Sequence, residues 1–320
     1  MRSNKSSRWM VILAGLSLLV ALTTTTTLAE ERYEEKFTKT VALAKDGTVD
    51  ISNITGSIEV KSWDKAEVKI DALKISRAGT LAEAKENAAE VEIVVEKMNE
   101  TVKIKTEYPK QKFRGKSSLN VVVDYNLWVP SKASARINNV TGEIVVEEIG
   151  GKVNLNLVTG SASVKKVDKE VDCNVVTGSL KVHDVSGDAY LNVTTGDIDA
   201  ERIKGIIKVK VVTGEIDLNG VSEARIVEGA TVTGSIKYQG RVHPEGRYSF
   251  NTTSGDIKMV LPADSSFELK ANTFSGDIET DFELKISGKF GKRTVEGVVN
   301  KGGATVKLNT FSGDIILKKE

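Results

Sequence analysis

The chain has 320 residues, with 45 lysine and arginine residues against 44 aspartate and glutamate residues. This balance excludes the strongly basic surface that nucleic-acid binding needs, and it provides no attraction to acidic lipids. Aromatic residues make up 5% of the chain and there is one cysteine. We therefore expect neither an aromatic platform for sugar stacking nor a disulfide framework.

Residues 1–29 have the composition of a secretory signal peptide. Three basic residues precede the run Met10–Leu22, which is apolar or small apart from one serine, and Thr27-Leu28-Ala29 is a small-residue cleavage site. We predict cleavage after Ala29 and an exported protein, located in the periplasm, the cell envelope or the medium. The alternative is an uncleaved anchor, because residues 9–29 approach the ~20 needed to span a bilayer. Membrane contact is then confined to this segment.

Residues 30–130 predict a β-rich capping region. Alternating apolar residues predict strands at 37–44, 48–52, 57–63, 66–76, 91–98, 101–108 and 119–129. Thr80-Leu81-Ala82-Glu83 is a capping box, and it predicts one short helix that ends near Glu90. We expect this region to cover the open end of the structure that follows, because an open end is an unpaired sheet edge.

Residues 131–320 are dominated by a repeated motif of Ser or Thr, then Gly, then Glu, Asp or Ser, then an aliphatic residue. Its glycines are Gly142, Gly160, Gly178, Gly196, Gly214, Gly234, Gly255, Gly276 and Gly313. The spacing is 18 residues four times in succession, then 20 or 21, and finally 37. A period of this length is typical of a solenoid, in which each repeat forms one coil, or rung. An upstream copy, Ile54–Ile58, predicts an imperfect rung inside the capping region.

We number positions in each rung from its glycine. Positions −5 and −3 are mostly apolar, and so are +2 and +4, which predicts two strands that each bury one face. These two sets are out of phase by one residue, so the chain must bend at the glycine. Position −4 is usually Asn and position −1 is always Ser or Thr, which predicts amide and hydroxyl ladders. The sequence thus predicts an all-β fold, a parallel β-solenoid of about 18–21-residue rungs with an N-terminal β-rich cap.

Three further features complete the sequence-based expectations for residues 131–320. The Gly- and Lys-rich stretch 285–293 is expected to protrude as a loop. The final Ile315-Ile316-Leu317, followed by Lys318-Lys319-Glu320, predicts a last strand at a charged sheet edge. Cys173 lies at position −5, and we expect it to be a small buried hydrophobe and not a reactive thiol.

The chain resembles a bacterial family of exported β-solenoid proteins called "putative adhesins", a domain of unknown function. The resemblance rests on Asn53–Val60 with the following Trp63-Asp64, on Leu127–Pro130, on the glycine motifs, and on the closing Thr310–Ile315. It covers about residues 35–320. It implies the solenoid fold and a location in the envelope or outside the cell. It implies no catalytic residues.

Position +1 offers a candidate cation site. It is acidic in six rungs, and late rungs carry Asp256, Asp277 and Asp314. If rungs stack about 4.8 Å apart, Asp256 and Asp277 lie close together, and either they splay into water or a cation such as calcium bridges them. The alternative is a solvated turn residue, because Asp is favoured in turns and the Gly-Gly-x-Gly-x-Asp calcium repeat is absent.

Position −2 is apolar in many rungs, although the alternation along the strand places it on the outward face. The residues are Val140, Val158, Val176, Val212, Val232, Phe274 and Phe311. An exposed row of this kind is a candidate docking surface. The alternative is that the bend tucks these side chains inward or that another segment covers them.

An enzyme is the main alternative class, because parallel β-solenoids include carbohydrate-cleaving enzymes with clustered carboxylates. The two histidines, His183 and His243, lie in no recognisable catalytic motif, and HExxH, Gly-x-Ser-x-Gly, P-loop and CxxC motifs are absent. We therefore predict a non-enzymatic structural or interaction module of the bacterial cell envelope, without cofactor, that binds a protein or polysaccharide at the cell surface. The alternatives are an accessory to envelope sensing or surface-polymer binding, and a degenerate carbohydrate-active enzyme.

Overall fold

The computed structural model describes residues 30–109, 119–221 and 223–320, so the predicted signal segment lies outside the described residues. The described part contains 27 strands and one helix. The strands form two long sheets, of 13 and 14 strands, around one continuous apolar core. This arrangement confirms the all-β solenoid. No helix in the described part of the chain has both the length and the apolar character for crossing a membrane.

The N-terminal region extends both sheets beyond the first rung. Its elements are β1 (Glu31–Ala42), β2 (Thr48–Thr55), β3 (Ile58–Trp63), β4 (Glu67–Ala78), α1 (Leu81–Ala89), β5 (Glu92–Met98), β6 (Thr101–Glu107) and β7 (Val121–Pro130). Strands β2 and β3 form the early rung that the Ile54–Ile58 motif predicts, with one strand in each sheet. Beyond it, β7, β4 and β1 continue the first sheet, and β6 and β5 continue the second.

Helix α1 begins where the capping motif predicts. The Thr80 hydroxyl accepts a hydrogen bond from the Glu83 backbone amide at 3.2 Å. At the other end, the buried Lys74 ammonium donates to the carbonyl oxygens of Ala88 and Val91, each at 3.1 Å, and pairs with Glu35 at 2.8 Å. A cation at the carboxyl end of a helix complements the helix dipole. Lys74 therefore ties α1 to β4 and β1.

The following rungs each place one strand in each sheet. Their strands are β8 (Ser134–Thr141), β9 (Ile144–Ile149), β10 (Val153–Thr159), β11 (Ala162–Val167), β12 (Val171–Thr177), β13 (Leu180–Val185), β14 (Ala189–Thr195), β15 (Ile198–Ile203), β16 (Ile207–Thr213), β17 (Ile216–Asn219), β18 (Ile226–Thr233), β19 (Ile236–Gln239), β20 (Arg247–Ser254) and β21 (Ile257–Leu261). Neighbouring rungs pair in parallel, with equivalent positions of the repeat opposite one another.

The alternation in the sequence matches the observed burial. In the rung of Gly160, Leu155 and Leu157 before the bend and Val164 after it are at most 1% exposed. Cys173 is completely buried at position −5, and burial raises the pKa of its thiol far above the ordinary value. The prediction of a buried, unreactive small hydrophobe at this position is consistent with both observations.

A second bend at position +6 carries a column of alternating charge. Glu148, Lys166, Asp184 and Arg202 occupy it, all with φ between 52° and 61°. Lys166 pairs with Glu148 at 2.8 Å, and Arg202 Nε donates to Asp184 Oδ1 at 2.6 Å. The hydrogen bond from Arg202 lowers the pKa of the Asp184 carboxyl below its ordinary value. These pairs compensate for part of the cost of left-handed backbone at residues other than glycine.

The rungs do not stack in chain order at the C-terminal end. The elements there are β22 (Phe267–Ser275), β23 (Ile278–Thr280), β24 (Leu284–Gly291), β25 (Thr294–Val299), β26 (Ala304–Ser312) and β27 (Ile315–Lys319). Strand β26 pairs with both β20 and β22, and β27 pairs with both β21 and β23. The last rung therefore lies between the two rungs that precede it in sequence. The predicted last strand is confirmed as β27, but its expected place at a charged sheet edge is wrong, because it lies between β21 and β23.

The expectation of a protruding loop at 285–293 is also wrong. Strands β24 and β25 form an antiparallel hairpin, and β25 pairs with one edge of β22. Val295 and Val299 on β25 are buried against the core. Since the hairpin occupies that edge of β22, the remaining edge of β22 is the one that faces β20, and the last rung fills this position.

Candidate functional site: the apolar stripe at the glycine corner

The repeat glycines lie in single file along one edge of the solenoid, which we call the glycine corner. Gly160 donates its backbone amide to the Thr177 carbonyl at 3.0 Å, and Gly178 donates to Thr195 at 2.9 Å. Gly178 has a φ of +138°, and a Cβ there would lie 1.6 Å from the Gly160 carbonyl oxygen. The corner thus requires glycine for both its backbone conformation and its close stacking.

The side chains at position −2 project into solvent just before this corner. In the order in which the rungs stack they are Ile54, Val140, Val158, Val176, Thr194, Val212, Val232, Thr253, Phe311 and Phe274. The eight apolar ones are between 43% and 64% exposed, because positions −3 and −5 take the inward face of the strand. We call this row the stripe. Ten rungs at about 4.8 Å give it a length of about 43 Å.

Two phenylalanines form the tallest part of the stripe. Phe274 and Phe311 stack with ring centroids 4.7 Å apart and planes inclined by 7°. They are 64% and 56% exposed, so the corner does not tuck them inward. They are 37 residues apart in the chain and become neighbours only because the last rung is inserted beside β22.

The predicted amide ladder borders the stripe. Asn156, Asn174 and Asn192 each donate to the side-chain oxygen of the preceding asparagine of the ladder at 3.0–3.2 Å. Asn309 donates to Asn251 at 2.9 Å, so the ladder resumes in the last rungs. These bonds hold successive rungs at constant spacing, and apart from Lys210 they leave the position −4 column beside the stripe uncharged.

A groove of about 440 Å³ lies between the ladder and the stripe across four rungs. Val176, Val212 and Val232 line one side, and Asn174 and Asn192 line the other. Two small residues deepen it: Thr194 replaces the usual valine at position −2, and Ala230 replaces the usual asparagine at position −4. No pattern in the repeat predicted this groove, although the sequence shows both departures, Thr194 and Ala230.

Three of the six acidic residues at position +1, including Asp256 and Asp314, accept a hydrogen bond from the backbone amide of the neighbouring rung. Asp256 Oδ1 accepts a hydrogen bond from the Asp314 amide at 2.8 Å, and Asp314 Oδ1 accepts one from the Asp277 amide at 2.9 Å. The inserted last rung separates Asp256 from Asp277, so their expected adjacency is wrong. Within residues 30–109, 119–221 and 223–320, no group of three or more His, Cys, Asp or Glu side chains is placed to hold a metal ion. Calcium binding at this column stays a hypothesis.

The chain is similar to a known protein family and to several solved structures. The model of the Toastrack DUF4097 family matches residues 48–318. No curated protein matches. Among solved structures, the chain is similar to a putative cell adhesion protein from Clostridium sporogenes, with 12% identity, 90% of this chain and 100% of that chain covered, and a TM-score of 0.25. It is also similar to a putative adhesin from Bacteroides fragilis, with 9% identity, 88% and 97% covered, and a TM-score of 0.36.

The family match decides the assignment. These structural similarities are distant, whereas the family model extends from the first rung to the last strand. The resemblance seen in the sequence is therefore confirmed, and the chain belongs to the Toastrack DUF4097 family.

Proposed function

We propose that this chain is an exported, non-enzymatic interaction module of the bacterial cell envelope, and that the stripe is its docking surface. The observation that carries the proposal is the single file of eight exposed apolar side chains. A strip about 43 Å long and about 7 Å wide presents roughly 300 Å² of largely apolar surface, which is comparable to the largest apolar patch of a monomeric protein, a patch that is often functional.

The solenoid supports this role because it presents the stripe on a rigid scaffold. The amide ladder and the glycine corner connect every rung to the next, so the stripe residues keep a fixed spacing. A preorganised surface loses little conformational entropy on binding. A partner with a linear repeat, such as a polysaccharide or an extended protein surface, can therefore contact many rungs at once.

The chemistry of the groove supports a binding role in preference to a catalytic one. Lys210 is the ionisable side chain of its lining, which otherwise consists of Val, Asn, Thr and Ala residues. A single lysine without a carboxylate or histidine beside it does not form the acid and base pair that glycoside hydrolysis uses. Export is supported by the composition of residues 1–29.

Two experiments test the proposal. The full chain is expressed in a bacterial host, and the mature protein is fractionated and its N-terminus is sequenced. We expect an exported protein that begins at Glu30, and a cytosolic protein that keeps its first 29 residues would contradict export.

The docking role is tested on a glycan array, combined with a screen for polysaccharide degradation. We compare the wild type with Val176→Ser in the stripe and with Val145→Ser, a half-buried outward residue of the first sheet. Binding that Val176→Ser weakens and Val145→Ser preserves, without released sugars, supports the proposal. Sugar release by the wild type would contradict the non-enzymatic role.

A further inference from the structure

We propose that the occupant of the stripe is a second copy of this chain, bound antiparallel about a two-fold axis. This inference rests on the proposed docking role of the stripe and specifies its partner. The structure supplies both halves of a self-complementary contact on one surface, namely a protruding pair of rings and a groove. A two-fold interface requires this kind of self-complementarity, because each copy uses the same patch.

The ring pair and the far half of the groove lie at equal distances from the rung of Val232, on opposite sides of it. The groove spans the four rungs of Val176, Thr194, Val212 and Val232, and the stacked phenylalanines occupy the last two rungs of the stack. An axis that crosses the stripe at Val232 places Phe274 opposite Val176 of the second copy, and Phe311 opposite Thr194. Each copy thus inserts its ring pair into the groove of the other.

The remaining positions along the stripe are also complementary in size. Val212 faces Thr253, and Val232 faces its own equivalent on the axis. Ala230 also meets its equivalent there, and its small side chain allows the two sheets to approach closely. Large side chains therefore face small ones where the stripe is tallest, and small side chains meet at the axis.

The polar columns beside the stripe fit the same arrangement. The amide ladders face each other, with Asn174 opposite Asn272 and Asn192 opposite Asn309, and amides can donate to and accept from one another. At position −6, the half-buried Asp172 faces the exposed Lys270 of the second copy. These opposite charges lie at the rim of the interface and favour this register. Glu228, at position −6 on the axis, meets its own equivalent, and this like-charge contact opposes association.

The contact area indicates a weak, reversible dimer. The two copies overlap over seven rungs, which gives the contact a length of about 34 Å. The outward columns at positions −2, −4 and −6 give it a width of about 17 Å, and the product is roughly 600 Å² per copy. The total of about 1,200 Å² lies at the low end of the range for specific interfaces. The facing columns at position +1 bring Asp197 towards Asp314 and Glu215 towards Asp256 of the second copy, so like-charge contacts outnumber the pair of Asp172 with Lys270 and oppose association. We therefore expect added salt to strengthen the dimer.

Sedimentation velocity over a range of protein concentrations tests the inference. We expect the wild type to shift from monomer to dimer as its concentration rises, and more so at high salt. The double variant Phe274→Ser/Phe311→Ser removes the rings, and Thr194→Arg fills the groove, so each should remain monomeric. Ala230→Asp is a second groove variant. Ile54→Ser is the matched control, because the hairpin of β24 and β25 extends the contact to β10 and β8 of the second copy, whereas this exposed stripe residue on β2 lies outside it and its loss should leave the dimer intact.

Mixing the two types of variant separates a specific contact from general stickiness. The ring-less copy keeps its groove and the groove-filled copy keeps its rings, so a mixed dimer retains one of the two contacts. We expect the mixture to associate more strongly than either variant alone. All substituted positions are at least partly exposed, and urea unfolding verifies that each variant folds.

Three results would overturn the inference. They are a wild type that stays monomeric, a loss of dimer in Ile54→Ser equal to that in the ring variant, and a mixture that associates no more strongly than either variant alone. Binding of the monomer to vesicles of zwitterionic lipid, lost in the ring variant, would identify a membrane as the occupant and also overturn it. The proposed docking role survives these outcomes if Val176→Ser still weakens binding on the glycan array.

Discussion

The glycine corner makes the sharpest prediction about stability, and Gly178→Ala tests it. A Cβ at Gly178 would lie 1.6 Å from the Gly160 carbonyl oxygen, at a φ of +138° that residues other than glycine rarely adopt. The backbone conformation alone costs about 1–3 kcal/mol. Separation of the rungs also weakens the hydrogen bonds from Gly160 to Thr177 and from Gly178 to Thr195, each contributing about 0.5–1.5 kcal/mol. We expect a loss of about 3–4 kcal/mol in the free energy of unfolding.

Gly220→Asn is the matched control. Gly220 has a φ of +63°, in the column where Lys166 and Arg202 adopt similar values, and the nearest atom to an added Cβ is the flexible Arg202 Cγ at 3.3 Å. We expect a change below about 1 kcal/mol, because asparagine tolerates the left-handed region. Urea unfolding measures both variants.

Amide exchange should show where the damage lies. In a solenoid each rung contacts only its neighbours, so exchange should accelerate around Gly160 and Gly178 but not at Gly255. If Gly178→Ala costs no more than Gly220→Asn, the close stacking of glycines is not what constrains the corner.

Three further predictions follow from the core, the inserted last rung and the second bend. Deletion of residues 304–320 removes the shared partner of β20 and β22 and leaves their edges unpaired. We expect a lower melting temperature by circular dichroism and aggregation by light scattering. Deletion of Glu320 alone is the control and should change neither. Cys173 should react with a thiol reagent only as fast as the protein opens, because burial raises the pKa of its thiol; rapid labelling of the native protein would contradict its placement. Asp184 has a lowered pKa because of Arg202, so its ionised form stabilises the fold above the ordinary pKa, and this contribution disappears as pH falls through the folded-state pKa. Asp184→Asn should therefore be less stable than the wild type near pH 7 and equally stable near pH 2, and a constant difference in urea midpoint between these pH values would refute the pairing.

The stripe shows how a repeat can build a continuous surface from small contributions. A residue pair such as Val176 and Thr177 contributes little surface by itself, but in-register pairing repeats it along the stack. An exposed apolar surface then arises from the spacing of rungs, and the proposed docking role places its specificity in the rungs that depart from the repeat. Thr194, Ala230 and the phenylalanine pair are such departures.

The sequence by itself determined the contents of each rung. The period of the glycines, the alternation around them, the asparagine at position −4 and the capping box at Thr80 all describe interactions within about 20 residues or between identical positions. Local geometry settles such interactions, because a strand has two faces and a tight corner needs glycine.

The tertiary structure alone decided the order in which the last rungs stack. Rungs of equal length and pattern fit beside one another in any order, so no local signal in residues 267–320 distinguishes an outer position from an inserted one. The hairpin of β24 and β25 settles the order by occupying one edge of β22. From that choice follow the contact of Phe274 with Phe311 and the separation of Asp256 from Asp277. The burial of Lys74 beneath α1 is likewise tertiary, because its partners lie on α1, on the segment that follows α1, and on β1.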